Sequence, residues 1–162
     1  MLVPLIERGA GLQVLLTERA HDLRLHAGQI SFPGGSMEAS DEDLVATALR
    51  ETEEEVGIAP RSVEVAGFLE PLPTITGYAV TPVVGLIDPA VELRLDAREV
   101  AAAFEVPLGF LLDPGNQKRS LRTWAGVEIP VIAYDYGPRR IWGATAAMIV
   151  SLQNKLSVIN DL

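Results

Sequence analysis

The stretch Arg50–Gly57, RETEEEVG, decides the fold because it places four carboxylates within five residues. On a helix at about 100° per residue, Glu51, Glu54 and Glu55 fall together beside the apolar face. Glu53 points away from them, towards solvent. Like charges at this spacing destabilise a helix, and here they lie at its C-terminal end, where the macrodipole disfavours anions. A hard divalent cation such as Mg²⁺, which takes oxygen ligands, would relieve both effects. The pattern therefore indicates a metal-binding helix edge, although an isolated run of glutamates would more simply be a solvated face.

The helix that carries these glutamates is predicted to begin near Ser40 or Asp41, both favourable N-caps, and to run to about Val56. Gly57 suits the C-terminal cap, and Pro60 prevents continuation of the helix. The residues expected to face the core lie on one arc of the helix: Leu44, Val45, Ala48, Leu49, Thr52 and Val56.

Composition limits the class of protein. The chain has 162 residues, of which 48% are hydrophobic and 22% charged, and this predicts one globular domain over residues 1–162. Its formal net charge of −9 argues against binding to duplex nucleic acid, which normally requires a basic face. The sequence shows neither an apolar run of about 18 residues nor a secretory signal, so we expect no membrane span and a cytoplasmic location. Without cysteine there are no disulfides and no thiol chemistry.

The remaining pattern predicts a mixed α/β fold with the order β-β-β-α-β-β-β-β-β-α, mainly antiparallel pairing and a helix on each face of the sheet. A loop is expected over 71–77, and a short helical turn followed by a β-turn over 109–116. The expected strands lie at 1–8, 12–19, 30–35, 62–70, 78–87, 100–108, 119–124 and 131–136, and the last helix at 144–156.

Residues 32–58, FPGGSMEASDEDLVATALRETEEEVGI, resemble the Nudix box, G-x5-E-x7-R-E-U-x-E-E-x-G-U, in which U is a bulky apolar residue. Two positions depart from it. Thr52 replaces the apolar residue after Arg-Glu, and Ser36 stands where the first glycine is expected, with Gly35 one place earlier. We interpret this as a one-residue insertion in the loop before the helix. The positions in register are Glu42, Arg50, Glu51, Glu54, Glu55, Gly57 and Ile58.

Residues Leu15–Gly35, LLTERAHDLRLHAGQISFPGG, match without a gap the signature of the coenzyme A diphosphatase branch of the Nudix hydrolases, L-L-T-x-R-[SA]-x3-R-x3-G-x3-F-P-G-G. RIWGATAAM at 140–148 resembles that branch more loosely. The resemblance implies an α/β/α sandwich that hydrolyses coenzyme A, or a derivative, to adenosine 3′,5′-bisphosphate and 4′-phosphopantetheine. The alternatives are another nucleoside diphosphate substrate, such as ADP-ribose, and a Nudix-fold binding module without activity.

The resemblance also implies a role for each box residue. Glu51, Glu54 and Glu55 would bind Mg²⁺ or Mn²⁺, and Gly35 would lie at the substrate side of the site, where its backbone carbonyl could add a ligand. Arg50 would orient the glutamates rather than touch substrate. Glu42 would support the loop and the start of the helix.

The general base and the phosphate-binding residues stay open at this level. The base is either Glu54 or Glu55 within the box, or Glu99 or Glu105 outside it. From the coenzyme A signature, Arg19 and Arg24 are candidates for binding the 3′-phosphate of coenzyme A, because guanidinium groups bind phosphate bidentately. For each arginine, a purely structural role in the loop is equally compatible.

Other residues near these motifs are expected to be structural. His26 is predicted to stabilise its loop, and Phe32 and Pro33 to pack in the core. Trp124 and Trp142 could stack on adenine, but core packing is favoured for both.

Overall fold

Eleven strands and three helices are present in the computed structural model, which describes residues 1–74 and 77–160, without the side chains of residues 124, 159 and 160. The helices are α1 (Leu44–Val56), α2 (Leu108–Leu112) and α3 (Gly143–Asn160), and 3-10 turns lie at Pro60–Ser62 and Pro114–Asn116. The strands are β1 (Leu2–Arg8), β2 (Gly11–Arg19), β3 (Ile30–Ser31), β4 (Val63–Phe68), β5 (Leu72–Pro73), β6 (Ala79–Val80), β7 (Val83–Ile87), β8 (Val100–Pro107), β9 (Gln117–Trp124), β10 (Val127–Tyr136) and β11 (Arg139–Trp142).

The central sheet has six strands, in the order β3-β2-β1-β7-β4, with β8 paired to β2. Strands β1 and β7 are parallel, and the other pairs of this sheet are antiparallel. The predicted mixed and mainly antiparallel sheet is therefore confirmed.

Helices cover both faces of this sheet because side chains alternate along each strand. Leu15 of β2 packs with Ala48 and Val56 of α1 on one face. Its neighbours Val14 and Leu16 lie in the cluster on the other face, together with residues of α2 and α3. This alternation fixes which β2 side chains face α1, and it decides the direction of Arg19, four residues after Leu15.

A second sheet of three strands has the order β11-β10-β9. Strand β11 pairs with β10 only over Ala133–Tyr136, so the outer part of the β9–β10 hairpin is two strands wide within the described residues. The hairpin turn contains Ala125 and Gly126, with φ of 48° and 81°. Two positive φ angles are characteristic of a tight type I′ turn.

The predicted start of α1 is wrong. The helix begins at Leu44, and its N-cap is Asp43, whose Oδ1 accepts the N–H of Ala46 at 2.8 Å. Asp41 cannot cap the helix because its carboxylate is bonded to Arg50 instead. With this later start, Leu44 lies in the first turn, at the end of the apolar face, and is 45% exposed rather than buried.

Several strand boundaries also differ from the prediction. The expected strand at 78–87 is divided into β6 and β7, since Pro82 between them cannot donate a ladder hydrogen bond. Part of the expected loop forms β5, which pairs with β6. Strand β11 was not predicted, because two arginines fill half of its four residues. No helix in the described ranges is long and apolar enough to cross a membrane.

Candidate active site

The C-terminal end of α1 is held in place by the segment before β8. Gly57 adopts a left-handed conformation with φ of 76°. The carbonyl oxygens of Glu55 and Val56 accept hydrogen bonds from the backbone N–H groups of Asp96 and Arg94, at 3.0 and 2.9 Å. A Cβ atom on residue 57 would lie 2.8 Å from that of Arg94, so only glycine fits here. The helix end that carries the glutamates is therefore rigidly placed.

Glu51 lies directly against the loop that precedes the helix. A Cβ atom built on Gly35 would come within 2.5 Å of the Glu51 carboxylate, so glycine at this position gives the carboxylate its space. Burial raises the pKa of Glu51, although hydrogen bonding to Arg50 opposes the shift. The Glu51 carboxylate is thus partly desolvated and lies beside the backbone of residue 35.

Glu55 is the most buried of the three box glutamates, at 4% exposure. Burial raises its pKa to about 7, while the positive charge of Arg19 acts in the opposite direction. The negative charges of Glu99 and Glu51 raise the pKa further, and a hydrogen bond from the backbone of Gly34 lowers it. A buried carboxylate with acidic neighbours favours a nearby cation or a proton.

Arg50 links the helix to the preceding loop. Its Nη1 donates to Glu51 at 3.0 Å and to Glu54 at 3.2 Å, so one nitrogen orients two box carboxylates. The rest of the guanidinium is held by Asp41, which accepts from Nε and Nη2 at 2.9 Å each. Nη2 also donates to the backbone oxygen of Ser36 at 3.1 Å. Arg50 therefore makes several directed contacts instead of the single surface pair expected for a solvated face.

Asp41 is a positioning residue that the sequence analysis assigned only to helix capping. Its side chain is 4% exposed, and it also accepts the hydroxyl of Thr47 at 3.0 Å and the N–H of Glu38 at 2.9 Å. Glu42, the residue in register with the box, is exposed and has no hydrogen bond or ion pair within residues 1–74 and 77–160. Counting G-x5-E from Gly35 leads to Asp41, which would have indicated its role. The extra residue therefore lies after Asp41.

The remaining departure from the box, Thr52, has a simple explanation. Thr52 is fully buried, and its hydroxyl donates to the carbonyl of Ala48 at 2.7 Å, so the polar group is satisfied within the helix. Glu53 is exposed, as predicted. Glu54 is half-exposed, with 55% of its side chain accessible, and lies at the solvent side of the three box glutamates.

The donor set fits a hard divalent ion, because Glu51, Glu54 and Glu55 supply only carboxylate oxygens. Glu51 and Glu54 converge on one nitrogen of Arg50, and the charge of Glu51 reaches Glu55. In the described part of the chain, however, no three acidic or histidine side chains are already grouped around a point that could hold a metal. Side-chain rotation of at least one glutamate is needed to complete such a site.

The two arginines of the coenzyme A signature occupy different positions. Arg19, at the end of β2, faces α1, and its charge lowers the pKa of Glu55. The Nε atom of Arg19 is buried and has no hydrogen-bond partner among the described residues. Arg24 is exposed in the loop between β2 and β3. The structure therefore brings Arg19 to the box glutamates, and Arg24 is not among their contacts.

Of the two outer candidates for the general base, only Glu99 lies near the cluster. Its charge raises the pKa of Glu51 and Glu55, and its carbonyl accepts the N–H of Ala20 at 2.8 Å, next to Arg19. Glu105 lies towards the other end of β8, where both carboxylate oxygens accept hydrogen bonds from Arg8.

The residues expected to be structural largely are. Phe32 is 1% exposed, and Pro33 is also buried. His26 has a φ of 58°, and its Nδ1 lies 3.0 Å from the Oε1 of Gln29, which stabilises the loop. Trp142 is partly buried, with the guanidinium of Arg122 4.9 Å from its ring centre. The side chain of residue 124 lies outside the described part, so its predicted packing remains a prediction.

An α/β/α sandwich in which one helix carries a row of glutamates beside a glycine-rich loop defines the class of Nudix hydrolases. The NUDIX domain model matches residues 2–125, and the chain belongs to the Nudix family. It is a Nudix-type pyrophosphohydrolase of nucleoside diphosphate derivatives, in a family that generally uses divalent metal ions.

Close relatives support this assignment. The chain is 42% identical over 158 residues to the uncharacterized Nudix hydrolase NudL of Citrobacter koseri, covering 98% of this chain and 82% of that protein. It is 43% identical over 159 residues to NudL of Escherichia coli O1:K1 / APEC, with the same coverage.

Solved structures show the same fold. The MutT protein from Methanosarcina mazei Go1 is similar with a TM-score of 0.53 and 28% identity, over 68% of this chain and 78% of that chain. The NUDIX domain of Shewanella oneidensis NrtR, solved with ADP ribose, has a TM-score of 0.52 and 23% identity, over 68% and 72% of the two chains.

Proposed function

We propose that this protein hydrolyses the diphosphate bond of coenzyme A or a derivative, giving adenosine 3′,5′-bisphosphate and 4′-phosphopantetheine or its acyl form. The observation that carries the proposal is the position of Arg19. This arginine belongs to the coenzyme A signature at Leu15–Gly35, and it lies beside Glu55 with a buried and unpartnered Nε. A buried donor without a partner is costly, so it favours an incoming anion.

The charges of the site indicate a different role for each group of residues. A diphosphate carries several negative oxygens, which repel both a nucleophilic water and an acidic site. Glu51, Glu54 and Glu55 would hold Mg²⁺ or Mn²⁺. Such an ion, when bound, neutralises phosphate charge and activates water. Arg19 would bind an oxygen of the diphosphate, and Arg50, fixed by Asp41, would orient the carboxylates.

We assign the general base to Glu99. A carboxylate that binds a metal must stay deprotonated for that purpose, which makes the three box glutamates less suitable. The negative charge of Glu99 raises the pKa of Glu51 and of Glu55. Its backbone carbonyl accepts the N–H of Ala20, next to Arg19. Its carboxylate would accept a proton from the attacking water.

Substitution of Arg19 and of Arg24 tests which substrate the protein recognises. Because Arg19 lies at the glutamates, Arg19→Ala should lower kcat/KM about ten- to a hundredfold for coenzyme A and dephospho-coenzyme A alike. Arg24 is exposed in the adjoining loop, so it is the arginine available for the remote 3′-phosphate. Arg24→Ala should raise KM for coenzyme A and leave the dephospho substrate unchanged.

The experiment measures kcat and KM for wild type and both variants with both substrates in Mg²⁺, identifies the products by chromatography, and includes ADP-ribose as the comparison substrate. ADP-ribose is the ligand in the NrtR structure. If the protein cleaves ADP-ribose in preference to coenzyme A, then ADP-ribose is the better assignment of the substrate. If wild-type protein cleaves coenzyme A and dephospho-coenzyme A equally well, the 3′-phosphate is not recognised, and the signature instead describes the loop.

A further inference from the structure

Asp96 connects two groups of the candidate site, Glu55 near the end of α1 and Glu99 directly before β8. The N–H of Asp96 donates to the carbonyl oxygen of Glu55 at 3.0 Å. The carbonyl oxygen of Asp96 accepts the N–H groups of Glu99 and Val100, at 2.9 Å each. The backbone of one residue therefore ties the proposed base to a box glutamate.

The side chain of Asp96 stabilises the turn that leads to Glu99. Its Oδ1 accepts the backbone N–H of Arg98 at 3.0 Å, which is the Asx turn that aspartate forms with the residue two positions on. The same carboxylate binds the Arg98 guanidinium. Nε lies 3.0 and 3.1 Å from the two oxygens, and Nη2 lies 2.6 Å from Oδ2. The Arg98 side chain is 88% exposed, so this carboxylate fixes its direction.

The Glu99 carboxylate, by contrast, is open to a new partner. Among residues 1–74 and 77–160 it has no hydrogen bond and no ion pair, whereas its backbone is bonded to Asp96 and Ala20. Arg98 is its direct neighbour. Hydrogen bonding to Asp96 raises the pKa of Arg98, and the negative charge of Glu99 raises it further, so the two side chains lie within reach of each other's charge. A guanidinium released from Asp96 would therefore meet Glu99 as the adjacent acceptor.

We propose that Asp96 is a positioning residue that keeps the Glu99 carboxylate free by holding Arg98 away from it. A carboxylate that pairs with a guanidinium has its oxygens occupied and is a poorer proton acceptor. With Arg98 bound to Asp96, the Glu99 oxygens stay available to the attacking water. This inference rests on the proposed role of Glu99 as the general base.

Asp96→Asn tests the inference, because asparagine keeps the turn acceptor and removes the charge that holds Arg98. At about 0.05 M salt, kcat should fall about two- to sixfold, the effect of an exposed ion pair that occupies Glu99, and KM should not rise. The deficit relative to wild type should shrink at about 0.5 M salt, where exposed charges are screened. A loss caused only by a damaged turn would not respond to salt in this way.

Removal of the competing cation gives the decisive comparison. Asp96→Asn with Arg98→Gln should restore kcat to within about twofold of wild type, and Arg98→Gln alone should be nearly silent. Asp96→Asn with Arg61→Gln is the matched control, because it deletes an exposed arginine elsewhere and should stay impaired. Asp88→Asn makes the same change in a second Asx turn, where Oδ1 accepts the N–H of Ala90 at 2.9 Å, and should behave like wild type.

Glu99→Gln separates this inference from the assignment of the base, and it should lower kcat at least about a hundredfold. A fully active Glu99→Gln variant would mean that Glu99 is not the base, and the role of Asp96 would be excluded with it. If Glu99→Gln is impaired but Asp96→Asn matches wild type, Glu99 remains the base and Asp96 is not its positioning residue. The same conclusion follows if removal of Arg98 does not restore kcat.

The assay uses coenzyme A or ADP-ribose, whichever wild-type protein cleaves better, for all variants. A different substrate assignment would therefore leave the comparison between variants intact. Circular dichroism confirms that every variant is folded.

Discussion

Close approach between Gly35 and Glu51 sets the geometry of the candidate site at the scale of single residues. The carboxylate occupies the space that a side chain on residue 35 would fill. The same loop is bonded to Arg50 through the carbonyl of Ser36, so loop and helix share one set of contacts. Small changes here should therefore alter carboxylate positions before they alter the fold.

Gly35→Ala should lower kcat at least about tenfold, because displacement of a carboxylate by even 1 Å is costly for catalysis. The midpoint of thermal unfolding should change little, since the atoms nearest to the added Cβ are the carboxylate atoms at the end of the Glu51 side chain and not backbone atoms. Gly9→Ala, where a Cβ meets nothing within 4 Å, is the control. Equal activity of the Gly35→Ala variant and wild type would show that Glu51 is not used in the position described.

The contact between Asp41 and Arg50 predicts a pH-dependent contribution to stability. A side-chain hydrogen bond from Arg50, with a further one from the backbone of Glu38, holds the pKa of Asp41 well below its usual range. Its contribution is therefore complete above the unfolded pKa of about 3.9 and is lost as the pH falls through the lower, folded value.

Thermal unfolding of Asp41→Asn measures that contribution. The variant should melt below wild type at neutral pH, and the difference should shrink as the pH approaches about 2. Glu42→Gln, at the exposed neighbour, should melt like wild type throughout. A difference for Asp41→Asn that does not change with pH would contradict the assigned ion pair.

At the scale of elements, α1 holds three of its glutamates in three different environments. Glu55 is buried, Glu51 is partly covered, and Glu53 is open to solvent. Its ends are fixed by different groups, the side chain of Asp43 at the start and the backbone of residues 94–96 at the end. The helix is thus rotated and held so that only one edge carries the candidate chemistry.

Charge removal along this helix should follow that rotation. Glu54→Gln or Glu55→Gln should reduce kcat by about a hundredfold or more, because each removes a charge from the expected metal site. Glu53→Gln is an identical chemical change on another side of the helix, so it should be nearly silent. Steady-state kinetics in saturating Mg²⁺ compares the three. Equal loss in Glu53→Gln would mean that the functional edge of the helix is a different one.

The helix also shows how far sequence reasoning reaches. Periodicity was sufficient to place Glu51, Glu54 and Glu55 on one edge and Glu53 on another, because these depend only on the helical repeat. The start of α1 was not predictable in this way. Ser40, Asp41 and Asp43 are all favourable caps by residue type, and only the tertiary contact of Asp41 with Arg50 shows that Asp41 has another role. Similarly, β11 forms through pairing with β10, and no local sequence pattern predicts that pairing.

At the scale of the whole molecule, the site lies where the central sheet, α1 and the segment before β8 meet. The opposite face of the sheet is covered by α2 and α3. A net charge of −9 makes binding of an anionic substrate unfavourable without local cations. Near the glutamates the chain supplies Arg19 and Arg50, which leaves a clear role for a bound metal ion. The extent of the single domain and the cytoplasmic location remain predictions.

Removal of divalent metal should abolish turnover, and Mg²⁺ or Mn²⁺ should restore it. By mass action, Mg²⁺ should also raise the midpoint of thermal unfolding of wild type, by more than it does for Glu55→Gln. Differential scanning fluorimetry over a metal titration gives this readout without any substrate. Full activity in excess chelator would contradict a metal-dependent reaction, and identical thermal shifts in both proteins would exclude Glu55 as a metal ligand.

The bonds that end α1 also restrict how this protein can change in length during evolution. Arg94 and Asp96 are tied to the helix through their N–H groups, and the carbonyl of Glu99 is tied to Ala20. An insertion between 94 and 99 would separate Glu99 from the helix end, whereas an insertion at the exposed residues 89 and 90 can lengthen the loop without breaking either attachment. Relatives with the same chemistry should therefore differ in loop length before residue 94 and keep a constant spacing after it.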